Sequence, residues 1–335
     1  MSPSDLAFVW AGLIAFSVFA YVVMDGFDLG IGILFPFFKR DEDRGVMMNS
    51  IAPVWDGNET WLVLGGGGLM AVFPLAYAVI MPALYAPIIA MLIALIFRGV
   101  AFEFRWRTKC AQFLWDGGFA GGSIVAAFAQ GVTLGALVQG IRVEGRAYAG
   151  GWWDWLTPFS VFTGFALVVG YALLGATWLV MKTSGELHEQ AKRFALISGA
   201  GSLAMIGMAS LWTPFLNAIY LERWFTGPTV WLSVAMPMFV GGAALMLFRG
   251  LYNGRDAQPF LSALAIFFLC YLGIGISFYP MIAPPSVLIW DAAAPAESLA
   301  FLLVGAVVLI PMILGYTAYA YWVFRGKVDP AEGYH

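Results

Sequence analysis

The chain has 335 residues, of which 61% are hydrophobic and only 11% are charged. A water-soluble domain of this length has a largely polar surface, so the composition favours an integral membrane protein over a soluble protein with an unusually apolar core. The formal net charge of −3 gives no indication of a nucleic-acid partner, and none is expected.

A membrane-spanning helix needs about 20 mostly apolar residues. By this criterion the sequence predicts an all-α integral membrane protein, with residues 1–335 forming a single polytopic domain of about nine transmembrane helices. The predicted spans are 6–38, 49–73, 75–97, 113–138, 157–181, 194–213, 228–248, 259–281 and 298–324.

The second predicted span is the least apolar, because Asp56, Asn58 and Glu59 lie near its start. Charge supports it nevertheless. With nine spans, 14 of the 17 Lys and Arg residues fall on one side of the membrane. Since cytoplasmic loops carry the excess of Lys and Arg, this bias predicts a cytoplasmic C-terminus and a periplasmic N-terminus.

Two aspartates interrupt the first predicted span. Asp25 and Asp28 are three residues apart and so share one helical face. Ionisable residues within a span are costly and are functional hypotheses by default. A helix continuing to Phe38 puts Asp28 near the membrane midplane. In the alternative, the span stops at Met24 and both aspartates lie in an interfacial turn.

A second acidic cluster, with Asp56 and Glu59 on one helical face, lies near the start of the second span. At the end of the third span, Arg98 and Glu103 follow. Arg98 either reaches into the bundle and neutralises a carboxylate, or extends to the interface as an ordinary arginine. The four-glycine run Gly65–Gly68 predicts close helix–helix packing of the second span.

Carboxylates at staggered depths indicate a proton relay or an ion site, and a purely structural ion-pair network remains the competing interpretation. The two histidines, His188 in a predicted solvated loop and His335, lie outside every span. A membrane haem b needs an axial histidine within a span. Any haem in a complex with this chain is therefore expected on another polypeptide. Cys110 and Cys270 lie in no metal-binding motif and are not expected to form a disulfide.

Several motifs resemble those of one protein family. The segments Met24–Gly32 and Asn49–Leu62 resemble the first-helix and second-helix signatures of subunit II of the bacterial cytochrome bd quinol oxidases. The resemblance covers essentially the whole chain. Glu59, where some members carry Gln, and the short chain resemble the cyanide-insensitive branch. Further matching segments are Phe97–Arg105, Gly185–His188 and Trp290–Ala292.

The resemblance implies a fold of two four-helix bundles plus a peripheral helix, embedded in the lipid of the bacterial inner (cytoplasmic) membrane. It implies a larger partner, subunit I, that carries haem b and haem d, or b-type haem in place of haem d. It also implies a small single-span accessory subunit. The assembly oxidises quinol and reduces dioxygen to water, with protons taken from the cytoplasm.

The resemblance also implies residue roles, none of them directly catalytic and none of them metal-ligating. Glu103 is the expected cytoplasmic start of a proton path, and Asp56 relays protons deeper toward the partner's haems. Trp61, with Trp55, resembles the aromatic side of a dioxygen route at the subunit interface. The expected supporting polar cluster consists of Asp25, Asp28, Arg98 and the additional carboxylate of Glu59.

Two other functions fit the residues alone. A secondary transporter would use Asp25, Asp28 and Asp56 as a coupling site at the membrane midplane, although no inverted repeat is visible in the sequence. A structural scaffold would use the polar clusters only to fix helix pairing.

Overall fold

The computed structural model describes residues 2–108, 111–226 and 230–328. Cys110 and His335 lie outside these ranges. The α-helices are α1 (Pro3–Leu34), α2 (Asp41–Asn49), α3 (Trp55–Val72), α4 (Pro74–Ala83), α5 (Tyr85–Arg105), α6 (Gln112–Gln139), α7 (Pro158–Lys182), α8 (Gly185–Trp212), α9 (Ala218–Phe225), α10 (Val230–Tyr252), α11 (Ala257–Phe278), α12 (Ile289–Ala292) and α13 (Ala296–Val323). Two short antiparallel hairpins pair β1 (Val143–Glu144) with β2 (Ala147–Tyr148), and β3 (Met281–Ala283) with β4 (Val287–Leu288).

Eight of these helices are long and apolar enough to cross a membrane: α1, α5, α6, α7, α8, α10, α11 and α13. This finding confirms the predicted all-α class with multiple spans. The predicted span 49–73 corresponds to α3, an 18-residue helix that is not among the eight. A turn at 51–54 precedes α3, so this helix begins later than predicted. The total of nine crossings stays a prediction.

The predicted span 75–97 needs correction, because two helices occupy this region. The chain leaves helical geometry at Leu84, between α4 and α5. Pro87 has no N–H to donate to the carbonyl of Ala83 four residues earlier, so a continuous helix would lose a hydrogen bond there. The apolar stretch therefore divides into the ten-residue α4 and the 21-residue α5, which extends to Arg105.

Helix α1 lies at the centre of the packing and contacts α3, α6 and α7. Its second half is buried on all sides from Asp25 to Leu34. Glycines allow this close approach, because a Cβ on Gly30 would collide with the carbonyl oxygen of Tyr171 and lie 2.7 Å from the nitrogen of Gly175. The close α1–α7 contact holds the two aspartates of α1 inside the bundle.

Helix α13 contributes little to this core. Leu299 is its one buried residue, and large apolar side chains along its length are exposed. The side chain of Lys182, at the end of α7, donates to the carbonyl oxygens of Phe324 and Gly326 just beyond α13. Polar contacts at its end therefore add to the limited apolar packing of α13.

Candidate functional site

The two aspartates of α1 lie in a continuous helix and are completely buried. Helix α1 runs without interruption from Pro3 to Leu34, and the exposed fractions of Asp25 and Asp28 are both 0%. The alternative in which the first span ends at Met24 is therefore wrong. Both carboxyl groups lie inside the packed bundle, where a charge is stable only with a partner.

Arg98 supplies that partner from α5. Its Nη1 atom lies 3.2 Å from Oδ1 of Asp25 and 2.7 Å from Oε1 of Glu59. The side chains of Arg98 and Asp25 are each 1% exposed, whereas that of Glu59 is 27% exposed. Arg98 thus turns into the bundle instead of extending to the interface, which confirms the first interpretation of this residue.

Close packing of α6 against α5 fixes the position of Arg98. A Cβ on Gly122 of α6 would lie 2.6 Å from the carbonyl oxygen of Ala94 and 3.0 Å from the backbone nitrogen of Arg98. The missing side chain lets the two backbones approach at this level. The guanidinium also lies 6.0 Å from the ring of Trp55, a further favourable contact for its charge.

Asp28 is held by an amide and not by the arginine. Asn58 Nδ2 donates to Oδ2 of Asp28 at 2.7 Å, and Asn58 Oδ1 accepts a hydrogen bond from the Tyr321 hydroxyl at 2.9 Å. Sequence reasoning did not assign a role to Asn58 or Tyr321. The signal for Asn58 was its place between two carboxylates of α3, whereas nothing in the sequence near Tyr321 pointed to the site.

The cluster contains more carboxylates than cations. Asp25 and Glu59 pair with the single guanidinium of Arg98, and Asp28 lies one helical turn from Asp25. Several buried atoms of these residues have no hydrogen-bond partner within the described chain. Each such atom costs about 1–3 kcal/mol. Ionisable groups inside membranes are rare and costly, and this cluster is therefore the candidate functional site of the chain. The buried atoms of the cluster without a hydrogen-bond partner in the described chain are Asp25 Oδ2, Asp28 Oδ1, Arg98 Nε and Arg98 Nη2.

A chain of neutral polar groups continues from the cluster toward α6 and α7. Gln130 Nε2 donates to the hydroxyl of Tyr21 at 2.8 Å, and the hydroxyl of Tyr171 donates to Gln130 Oε1 at 2.7 Å. Tyr21 lies one helical turn before Asp25 on α1. These three side chains were also missed from the sequence, because isolated Tyr and Gln residues in apolar spans carry no distinctive pattern.

The two residues expected to carry protons from the cytoplasm lie outside this cluster. Asp56 is exposed in the first turn of α3, and Glu103 is partly exposed near the end of α5. Neither forms an ion pair with another residue in the described ranges. The structure therefore groups Asp25, Asp28, Glu59 and Arg98 but leaves the roles of Asp56 and Glu103 as predictions.

The two tryptophans of α3 occupy different environments. Trp61 is 1% exposed and packs edge-on against Phe16, with ring centroids 5.6 Å apart. Trp55 is partly exposed and packs against Phe102 at 5.1 Å. Their expected place beside a dioxygen route stays a prediction.

A second ion-pair cluster joins α2, α5 and α6. Arg105, whose side chain is 1% exposed, pairs with Asp116 at 2.6 Å and also with Asp41. Arg44 pairs with the other oxygen of Asp116 at 2.9 Å. The cluster ties α2 to the adjoining ends of the two spanning helices.

The one histidine of the described ranges lies near the start of a helix and not in the middle of a span. His188 lies in the first turn of α8 and not in a solvated loop, which corrects the prediction. Its Nδ1 atom is 3.0 Å from the carbonyl oxygen of Val180, so the ring is engaged by the backbone. Among the residues described, no group of three or more His, Cys, Asp or Glu side chains is arranged to hold a metal ion.

Comparison with known proteins gives consistent results. The model of the family described as cytochrome bd terminal oxidase subunit II matches residues 6–324. Subunit 2 of the cytochrome bd-I ubiquinol oxidase of Escherichia coli (strain K12) is 30% identical, over 98% of this chain and 96% of that protein. The cytochrome bd ubiquinol oxidase subunit 2 of Bacillus subtilis (strain 168) is 28% identical, over 97% of each.

A solved structure shares the fold. One chain of the bd oxidase from Geobacillus thermodenitrificans superimposes with a TM-score of 0.81, covering 96% of this chain and 98% of its own length. The two sequences are 15% identical in this superposition, so the match supports the architecture alone.

Proposed function

The chain belongs to the cytochrome bd terminal oxidase subunit II family, and we propose that it is the haem-free second subunit of a quinol:dioxygen oxidoreductase in the bacterial inner membrane. The complex oxidises quinol and reduces dioxygen to water. In this proposal the chain supports assembly, supplies protons from the cytoplasm and gives dioxygen access to the partner's haems. The whole-chain match to named oxidase subunits supports the assignment.

The haems belong to a larger subunit I in this proposal. Haem b and haem d, or b-type haem in place of haem d, supply the electron transfer and dioxygen chemistry when bound there. In the described part of this chain the one histidine, His188, lies in the first turn of α8 and not in the apolar middle of a span, where a membrane haem b needs its axial histidine. A small single-span accessory subunit is a further proposed partner.

The observation that carries the proton role is the buried cluster around Arg98. Asp25 and Glu59 share the guanidinium of Arg98, and Glu59 connects this buried ion pair to a partly exposed position. A carboxylate that hands on protons needs a position between solvent and the reaction site. Glu103 is the proposed cytoplasmic start, Asp56 the relay toward the partner, and the residues around Arg98 the supporting polar environment.

The transporter alternative has one observation in its favour, the two buried carboxylates in the second half of α1. Purification together with the co-expressed partner separates the two functions. The oxidase proposal predicts that haem and quinol oxidase activity co-purify with this chain and disappear together when the chain is omitted. A stable complex without haem would instead favour the transporter.

The relay is tested by Asp56→Asn, which keeps the size of the side chain but removes its titratable group. We expect lower oxygen consumption with haem content largely unchanged. The matched control is Glu189→Gln, an exposed carboxylate on α8 that should leave turnover unaltered. Unchanged turnover in Asp56→Asn would remove this residue from the relay, and loss of haem would assign it a structural role.

A further inference from the structure

A small polar cavity lies where the loop between α6 and α7 folds against the end of α4. Its volume is about 200 Å³, and Ala83, Leu84 and Ala136 are among the apolar residues that line it. Small-molecule sites usually enclose about 300–1,000 Å³. The cavity is therefore of a size to take a headgroup and not a whole cofactor.

Two of the lining residues are hydrogen-bond donors. Arg142 is an exposed residue that lines the cavity, and its side chain forms neither an ion pair nor a hydrogen bond with any residue in the described ranges. Trp155 also lines it, and its buried Nε1 has no partner within the same ranges. A guanidinium and an indole N–H are donors only, so a ligand here must bring acceptor oxygens. The planar guanidinium fits the paired oxygens of a phosphate.

The exposed carboxylate of Asp154 also lines the cavity. Asp154 Oδ2 accepts a hydrogen bond from the backbone N–H of Gly151 at 2.9 Å. It also lies 3.2 Å from the Tyr148 hydroxyl, whose single hydrogen is shared with the closer carbonyl oxygen of Gly151 at 2.7 Å. Burial and the charge of Asp154 raise the pKa of Tyr148, so this hydroxyl stays protonated and donates. These bonds fix the carboxylate by one oxygen, while Oδ1 makes no hydrogen bond within the described chain.

The two charges of the cavity are not paired with each other. Arg142 and Asp154 line the same small space, yet they form no ion pair within 4.0 Å in the described chain. A ligand that complements both must carry a negative group and a positive group a few bonds apart. A positive group with N–H donors suits Asp154, because a carboxylate accepts hydrogen bonds.

The cavity adjoins an aromatic surface of the kind found at the membrane–water boundary. Trp152 and Trp153, in the same loop, are 59% and 65% exposed. Trp152 packs against the exposed Tyr85 with ring centroids 5.9 Å apart. Exposed Trp and Tyr side chains are enriched at the level of lipid headgroups. The predicted orientation of the chain puts this boundary on the periplasmic side.

We propose that this cavity binds the headgroup of phosphatidylethanolamine, with the phosphate on Arg142 and Trp155 and the ammonium on Asp154. Phosphatidylglycerol would satisfy Arg142 but bring no cation to Asp154. Phosphatidylcholine would bring a cation without N–H donors. The site is therefore selective for a primary-amine zwitterionic lipid, and this selectivity is independent of the oxidase proposal.

The test uses the purified complex of this chain with its partner, delipidated in detergent. The complex is incubated with equal amounts of phosphatidylethanolamine, phosphatidylglycerol and phosphatidylcholine, and retained lipid is counted by native mass spectrometry. We expect preferential retention of phosphatidylethanolamine. Arg142→Gln should lower it about tenfold, and Asp154→Asn should abolish the preference over phosphatidylglycerol. Arg146→Gln, an exposed arginine of the same loop outside the cavity, is the matched control.

Three outcomes would overturn the proposal. If the Arg142→Gln complex retains as much phosphatidylethanolamine as the unchanged complex, Arg142 does not bind the phosphate. Equal affinity for phosphatidylglycerol in the unchanged complex removes the role of Asp154. Displacement of the lipid by equimolar soluble phosphoethanolamine identifies a free phosphate ester as the ligand. If Arg142→Gln fails to assemble, Trp155→Phe, which keeps the ring but removes the N–H, must show reduced retention for the proposal to stand.

Discussion

The Nη1 atom of Arg98 lies 2.7 Å from Oε1 of Glu59. The same nitrogen lies 3.2 Å from Oδ1 of the fully buried Asp25, so one NH2 group of the guanidinium links a partly exposed carboxylate to one inside the bundle. Sharing of a single cation makes the two carboxylates interdependent, because a change at one alters the charge balance experienced by the other.

Removing the guanidinium should destabilise the chain strongly. In Arg98→Met the carboxylate of Asp25 stays buried without a cation, and breaking a buried pair in this way costs about 3–5 kcal/mol. We expect a lower midpoint of thermal unfolding for the detergent-solubilised complex and a reduced yield. The control is Arg107→Met, an exposed arginine on the same side of the bundle, which should behave like the unchanged protein. Equal thermal midpoints for both variants would show that Arg98 does not stabilise the cluster.

A methyl group at Gly30 should separate α1 from α7. The new Cβ would collide with the backbone of Tyr171 and Gly175, which cannot move without displacing α7. We expect a destabilisation of about 3 kcal/mol or more. Gly12→Ala is the matched control on the same helix, since a Cβ at Gly12 meets nothing within 4 Å. Thermal unfolding of the two variants tests the difference, and a Gly30→Ala protein as stable as Gly12→Ala would contradict the observed packing.

The sequence predicted the membrane class, most helices and the burial of two aspartates, because these follow from local hydropathy and spacing. It did not predict the break at Leu84 or the turn before α3. Each region contains a proline, Pro53 before α3 and Pro87 after Leu84, which interrupts the backbone hydrogen bonding. The side chains around each proline are apolar, so hydropathy alone predicts one continuous span.

In the candidate site, too, some residues could be predicted from the sequence and others could not. Asp25, Asp28, Glu59 and Arg98 stood out because charge in an apolar segment is costly, and the structure brings them together. Tyr321 lies 263 residues from its partner Asn58, so only the tertiary packing of α13 could reveal it. The glycine run was only partly informative, since a Cβ at Gly66 or Gly67 meets no atom of the described chain within 4 Å.

Loss of the Tyr321 hydroxyl should loosen α13 without unfolding the chain. Tyr321→Phe removes the hydrogen bond to Asn58, a loss of about 0.5–1.5 kcal/mol. Because α13 has little other buried contact, we expect faster hydrogen exchange in its second half. Tyr319→Phe, at a 62% exposed position of the same helix, is the control. Identical exchange in the two variants would mean that this bond does not hold the helix.

The stability of the α2 region should depend on pH through Asp43. Burial, with smaller contributions from nearby acids, raises the pKa of Asp43 above its ordinary value despite Arg40. The folded state therefore binds more protons than the unfolded state between the two pKa values, and stability falls as pH rises through that window. At neutral pH the ionised carboxylate is a net cost.

We accordingly expect Asp43→Asn to stabilise the protein at pH 7 and to lose this advantage as the pH falls toward about 4, where the unfolded-state carboxyl also becomes protonated. Thermal midpoints measured across pH 4–8 give the comparison. Glu189→Gln, at an exposed position, should show no such trend. If the stabilisation by Asp43→Asn instead increased as the pH falls, the raised pKa of Asp43 would be contradicted.

In the proposed complex this chain supplies the polar environment while the partner subunit holds the iron. The most direct measurement is the haem content, by pyridine haemochrome spectroscopy, of this chain purified alone in detergent beside the intact complex. We expect no haem on the chain alone and the full complement in the complex. Stoichiometric haem on the isolated, folded chain would contradict this expectation.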